Sequence, residues 1–426
     1  GVNVNGIEVN GWGGGSTRFN TTNSADDAIY ISTPSVTTGN GFASYNGGTE
    51  FNNANGGILI QTPSWTTGAT ANQYRWNVGG PLIIEPTVTS FSVPLAFDTN
   101  NVFGSNLPTT FRIGKDGNTS NITISTPVTA KTSIEAYGNN VSASANLTVS
   151  TSTTGGIMLK GRQDVWMNGG ASAAARNTMQ TNGGPITMWS NSDFSGTGAI
   201  LLGNFTRLLS NGGAITMAGS ASASETSPTG YARNNATVFP NGVELGTSNV
   251  ASNVEINSSG GDITIRGYSN SNVNLTMGVK GWAGTTITAG NGSITVDGQV
   301  DGATGAITLH GTEFGFNGGA TTSITSTKTS GTAISISGNS VGGTSSDTTG
   351  FTLWNPVTIN ASGGGDIVLN ASSASANTPA AMRITGATIL GKGAITFNGG
   401  KRIIFGANNV GTANTIGASS LATDAP

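Results

Sequence analysis

From Val254 to Leu309 the chain repeats one short pattern of apolar and polar positions. Apolar residues two apart, Val254/Ile256, Ile263/Ile265, Leu275/Met277, Ile294/Val296 and Ile307/Leu309, enclose a polar residue, with Ile287 standing alone. Gly, Asn, Ser and Asp fill the gaps between them. Alternation of this kind turns one face of an extended segment inward and the other outward, which is a half-buried strand. No intervening segment carries a helical period. A chain that repeats strand and turn in this way is a solenoid whose coils stack on one another.

A sharper pattern covers more of the chain: Gly or Gly-Gly, one variable residue, then an alternating strand. It reads GGILI at 56–60, GGPLII at 79–84, GGIML at 155–159, GGPITM at 183–188 and GGAITM at 212–217. It continues as GGDITI at 260–265, NGSITV at 291–296, TGAITL at 304–309, GGGDIVL at 363–369 and KGAITF at 392–397. From 156 to 184, 184 to 213, 261 to 292 and 365 to 393 the intervals are 28, 29, 31 and 28 residues. That period is the size of a coil with two or three strands, and the fold class expected is all-β, a right-handed parallel β-helix. Gly suits the corners because it reaches positive φ without a Cβ penalty. Inward Ile, Val, Leu and Met then pile into apolar ladders, and stability comes from neighbouring coils.

At these Gly-strand repeats the chain resembles the β-strand-repeat regions of large bacterial surface proteins: filamentous-haemagglutinin-like exoproteins of two-partner secretion and autotransporter-type adhesins. Their conserved N-terminal secretion motifs are not recognisable here. The resemblance implies an extracellular, cell-surface β-helical adhesin or filament protein.

The pattern divides the chain. Residues 1–55 are expected to form N-terminal coils, or a cap or joining strand built from Val2, Val4, Ile7 and Val9. Residues 56–410 form the β-helix, and 411–426 a small, polar linker or tail. Inserts are expected near 81–127, 219–241 and 371–381. The first of these holds Pro81, Pro86, Pro94, Pro108 and Pro127, and Pro cannot donate to a ladder, which predicts edge or extra-helical strands there.

Composition narrows the function classes. The chain has 426 residues, a formal net charge of −3, 9% charged residues, 66 Gly, one His and no Cys. Lys and Arg are few and scattered, so there is no electrostatic footprint for nucleic acid. No apolar run reaches the length of a transmembrane helix. Without Cys there is no disulfide, thiol chemistry or Cys-based metal site.

Few residues suggest chemistry. Asp297 and Asp301, in VDGQVDGATG, would share a Ca²⁺ ion if a tight turn brought them together; the alternative is two Asp-Gly turns, each Asp bonding its own backbone. Lys115-Asp116-Gly117-Asn118 has the same ambiguity. Asp26-Asp27 is the best acidic pair for polysaccharide cleavage, but adjacent strand residues point to opposite faces. Asp262 and Asp366 occupy the variable corner position that elsewhere holds Pro185 or Ala214, which makes them structural. Trp12, Trp65, Trp76, Trp166, Trp189, Trp282 and Trp354 are either sugar-stacking platforms or large buried corner residues. His310 is the only His, and an ordinary satisfied residue is its simplest reading. The sequons at Asn121, Asn146, Asn204, Asn274 and Asn291 are expected by chance in so Asn-rich a chain.

The function expected is therefore a non-enzymatic extracellular structural or adhesive β-solenoid, with no catalytic residues and no cofactor apart from the Ca²⁺ option. Its expected partners are copies of itself, cell-surface glycans, or host or neighbour cells. The alternatives are a polysaccharide-degrading β-helix enzyme and a glycan- or ice-binding solenoid.

Overall fold

The computed structural model describes residues 7–10, 17–21, 24–26, 29–32, 42–45, 49–67, 74–234, 240–271, 273–302, 308–343, 345–374, 380–406 and 412–423. Among these residues there is no helix, and the strand ladders are parallel, as an all-β parallel β-helix requires. The chain divides into two compact units, residues 1–162 with 178–184, and residues 163–177 with 185–426.

In the first unit one ladder runs through Ile29–Ser32, Ile58–Gln61, Leu82–Glu85, Thr110–Ile113, Ser133–Gly138 and Ile157–Gly161. Its inward column is Ile29, Ile58, Leu82, Phe111, Ile134 and Ile157, in register from coil to coil. A second inward column is aromatic. Phe19 stacks on Phe51 with ring centroids 5.1 Å apart, and Phe51 stacks on Trp76 at 4.5 Å.

The segment 81–127 stays within the ladders, and of the edge or extra-helical strands expected there it has the edge ones: Leu95–Phe97 and Asn101–Phe103 each end their sheet. Leu95–Phe97, Asn101–Phe103 and Ile122–Ile124 all pair in register with strands of neighbouring coils. Its prolines fall between strands, just before or after them, where no ladder donor is lost.

In the second unit three ladders build the coil. The first holds Ile186–Ser190, Ile215–Gly219, Ile263–Ser269, Ile294–Asp301, Thr332–Val341, Asp366–Ser373, Ala394–Gly399 and Ser420–Thr423. The second holds Val165–Met167, Ile200–Leu202, Val243–Leu245, Thr276–Gly281, Leu309–Phe314, Thr349–Leu353, Met382–Thr385 and Ile403–Gly406. The third runs from Thr206–Leu209 to Thr415–Gly417. Ile186, Ile215, Ile263, Ile294, Ile334, Ile367 and Ile395 form one fully buried column in the first ladder. Burying each such side chain contributes about 1.5–3 kcal/mol.

The Gly-Gly corner has two causes, one for each glycine. Gly260 takes φ 141°, which disfavours any L side chain. Gly261 does not; a Cβ there would lie 2.1 Å from the Gly213 carbonyl oxygen of the coil before, so close stacking forbids it.

Glycine also pinches the middle of the coil. Gly267, Gly298 and Gly338 are in register on the first ladder. Gly278, Gly311 and Gly350 lie opposite on the second: a Cβ on Gly298 would meet the Gly311 oxygen at 2.1 Å, and one on Gly338 the Gly350 oxygen at 2.0 Å. Here the two sheets touch backbone to backbone.

The insert near 219–241 leaves the stack at Gly219 and returns as a two-residue strand, Ala232–Arg233, paired with Gly267 and Tyr268. Residues 235–239 of it, and 375–379 of the insert at 371–381, lie outside the described residues, as do Val2, Val4 and Trp12. Residues 411–426, expected as a tail, contain Thr415–Gly417 and Ser420–Thr423, which pair with Thr388–Gly391 and Ala394–Gly399. Residues 1–55 likewise contribute paired strands, Ile7–Asn10 to Phe42–Tyr45 and Thr17–Asn20 to Thr49–Asn53.

Candidate functional site

The glycine pinch shapes the outer face of the second ladder. In register, Met277 pairs with His310 and His310 with Thr349; three residues on, Lys280 pairs with Glu313 and Glu313 with Thr352. The pairing skips Gly278, Gly311 and Gly350, which lie between the two rows. An irregular residue in a strand resets its alternation, so residues three apart share a face. That is how His310 and Glu313, on one strand, come to meet.

They meet under a cleft of about 260 Å³ lined by Asn241, Leu275, Met277, Lys280, Trp282, His310, Glu313, Phe316, Asn317 and Trp354. The lining is mostly apolar and aromatic, over a floor of ionisable groups. Lys280 and Glu313 are each 3% exposed and His310 is 1% exposed. Trp282 and Phe316 stack with centroids 6.2 Å apart. Leu275, at the rim, is exposed although apolar and takes φ 60° without being Gly. Such a backbone costs about 1–3 kcal/mol and concentrates at ligand-binding positions.

The floor is a connected network. Lys280 Nζ donates to Glu313 Oε1. His310 Nε2 lies 3.2 Å from Glu313 Oε2, and His310 Nδ1 lies 2.7 Å from Thr349 Oγ1. Burial, with Lys280 and Arg383 nearby, pushes His310 down to about 3, so the ring is neutral at pH 7. The network then assigns the tautomer: Nε2–H donates to Glu313 and Nδ1 accepts from Thr349. Burial also pulls the Lys280 ammonium well below the usual lysine range, opposed by the Glu244 carboxylate. Glu244, Lys280's register partner in the preceding coil, is raised by burial against hydrogen bonds from Trp282 and Asn241. Trp282 Nε1 donates to Glu244 Oε1 at 2.7 Å, and Lys280 Nζ sits 4.4 Å from the Trp282 ring centroid. At the far side Arg383 pairs with Asp347 at 2.9 Å and lies 5.8 Å from the Trp354 ring.

Three residues singled out in the sequence, Trp282, Trp354 and His310, are thus brought together. Lys280, Glu313 and Glu244 were missed, because nothing local marks them. The signal available was a charged residue at one position of three successive second strands, Val-Glu-Leu, Val-Lys-Gly and Thr-Glu-Phe, and again, after Phe-Thr-Leu, in Met-Arg-Ile, in a chain only 9% charged.

The other candidates stand apart. Asp297 and Asp301 are on one extended strand, Ile294–Asp301, not across a turn. Four residues of strand put their Cα atoms about 13 Å apart, too far for one ion. Asp297 Oδ2 instead accepts from the Tyr231 hydroxyl at 2.5 Å, tying down the insert. Among the described residues no group of three or more His, Asp or Glu is placed to hold a metal. Asp26 is exposed in a turn, and Asp27 lies outside the described residues. Asp116 pairs with Lys160 at 2.8 Å, and Asn118 bonds Phe91 and Tyr137 backbone. Asp262 Oδ1 accepts from Ser293, which lowers its pKa, and Asp366 Oδ1 accepts from Ala394 N, so both brace the next corner. Trp65, Trp76 and Trp189 are buried, whereas Trp166 is partly exposed away from the cleft. Asn121, Asn146, Asn204 and Asn274 each accept a backbone N–H from a later coil or turn, a structural use of asparagine.

No helix among the described residues is long and apolar enough to cross a membrane. No protein-family model matches the chain, and neither a curated protein nor a solved structure matches it.

Proposed function

We propose that the chain is a non-enzymatic extracellular structural and adhesive β-solenoid that engages cell-surface glycans through the Trp282–Trp354 cleft. The observation that carries this reading is the cleft itself: two Trp rings and Phe316 around a small apolar space, with Asn241 and Asn317 at its lining. A sugar ring has apolar C–H faces and polar edges, and aromatic walls with a few fixed amides match both. The volume suits a single sugar unit. The surrounding parallel coils hold the walls rigidly, so little ordering opposes binding.

The supporting experiment is a glycan array followed by calorimetry on the hits. Binding should fall at least tenfold in Trp354→Ala with the fold kept. An array without hits, or hits indifferent to Trp354→Ala and Trp282→Ala, overturns the reading. The buried Lys280–Glu313–His310 cluster favours one second reading, a polysaccharide-cleaving enzyme. Reducing ends or unsaturated products from a polysaccharide panel, lost in His310→Gln, would establish that one instead.

A further inference from the structure

Lys280 and Glu313 sit face to face on adjacent coils, in register, each almost fully withdrawn from solvent. Nζ is in direct contact with Glu313 Oε1. Two charges removed from water need a strong return, and a buried ion pair seldom gains more than its desolvation costs. The contact, however, is also the arrangement of an amine against a carboxyl group.

We propose that Lys280 and Glu313 condense into an intramolecular amide, a covalent rung between the strands Thr276–Gly281 and Leu309–Phe314. The groups needed are in place. His310 Nε2–H, 3.2 Å from Glu313 Oε2, holds the oxygen that stays and stabilises the negative charge it gains as the tetrahedral centre forms. Glu244, on Lys280's other side in the preceding coil, acts on Lys280 through its charge and steadies the positive charge that Nζ gains on attack. Burial favours the free amine on Lys280.

In the step, one proton of the Lys280 ammonium passes to Glu313 across their contact, and Nζ of the amine so formed attacks Cδ of the carboxyl group. The new bond is Nζ–Cδ and the bond that breaks is Cδ–Oε1. A second proton of Nζ passes to the departing Oε1 hydroxyl, which leaves as water. Lysine amine and glutamic acid become one amide and one water, with no change of oxidation state and no further reagent. The product removes both buried charges, and its N–H still faces the Trp282 ring. It does not depend on what the cleft binds.

The test is the mass of the intact, denatured full-length chain. One water less than the sequence mass is expected. Proteolysis should yield a joined peptide containing both Lys280 and Glu313. Lys280→Met should restore the full sequence mass, and Glu244→Gln, close in shape, should slow the water loss at least tenfold after purification from the same growth time. If folded wild-type protein has the full sequence mass, the proposal is overturned. It is equally overturned if the digest places the water loss elsewhere, a reading that needs no variant to fold. An unchanged rate in Glu244→Gln removes Glu244 from the step and overturns the mechanism as written.

Discussion

A Cβ placed on Gly298 would come within 2.1 Å of the Gly311 carbonyl oxygen, on the facing sheet of the same unit. Neither backbone can retreat, because each is in register with coils above and below. Gly298→Ala should therefore destabilise the second unit by about 3 kcal/mol or more, at the severe end for single substitutions. Gly400→Ala is the control, since the nearest atom to its added Cβ would be 3.8 Å away; it should change stability by no more than about 1 kcal/mol. Urea denaturation of both variants decides the point, and equal midpoints would show that the pinch is not rigid.

Trp282→Phe separates the ring from its N–H. The ring still walls the cleft, so glycan affinity should change by less than threefold. Glu244 loses the donor 2.7 Å away while staying buried, a loss of about 1–3 kcal/mol. Melting temperature should fall while binding survives. The reverse outcome would mean that the indole N–H, not the ring face, meets the ligand.

Acid should destabilise the second unit through His310. Its folded pKa, about 3, lies below the unfolded value near 6.5, so the unfolded chain binds the extra proton first. Stability from this group is complete above about 6.5 and is lost as pH falls toward 3, by at most about 1.4 kcal/mol per pH unit. Glu244, raised by burial, works in the opposite sense, losing its contribution as pH rises through its folded pKa. Comparing wild type with His310→Gln at pH 4 and pH 7 isolates the contribution of His310; parallel pH profiles would refute it.

Calcium should leave the protein unchanged. With Asp297 engaged by Tyr231 and Asp301 exposed at the end of the same strand, millimolar Ca²⁺ should not shift the thermal midpoint. Asp301→Asn should be neutral to within about 0.5 kcal/mol. A calcium-dependent rise in calorimetry, abolished in that variant, would restore the metal site.

Much of the scaffold was readable in the residues. The Gly-x-Ile-Thr motif placed Ile186, Ile215, Ile263 and Ile294 in one column, and they are fully buried and in register. Alternation and turn residues act within a few positions, so a linear reading captures them. In the segment 81–127 the prolines mark edge strands, Leu95–Phe97 and Asn101–Phe103, but not that these stay in the stack; the place of each Pro just outside a strand depends on where the corners fall. The cleft was harder still. Trp282, His310 and Trp354 come from three coils of unequal length, and only register aligns them. His310 meets Glu313 through a bend at Gly311 whose cause, Asn339 and Gly350 backbone, lies in a different part of the chain.

The glycine pinch has a consequence for change over time. Where side chains fill a core, a cavity can be widened or narrowed by exchanging one methyl group for another. Between Gly267, Gly298, Gly338 and their opposite glycines there is nothing to exchange. The main chain beneath the cleft's floor of Lys280, His310 and Glu313 is closed to gradual adjustment. New specificity is then written in side chains, those of the floor and those of the rim, Leu275, Phe316, Asn317 and Trp354, while the backbone beneath them stays fixed.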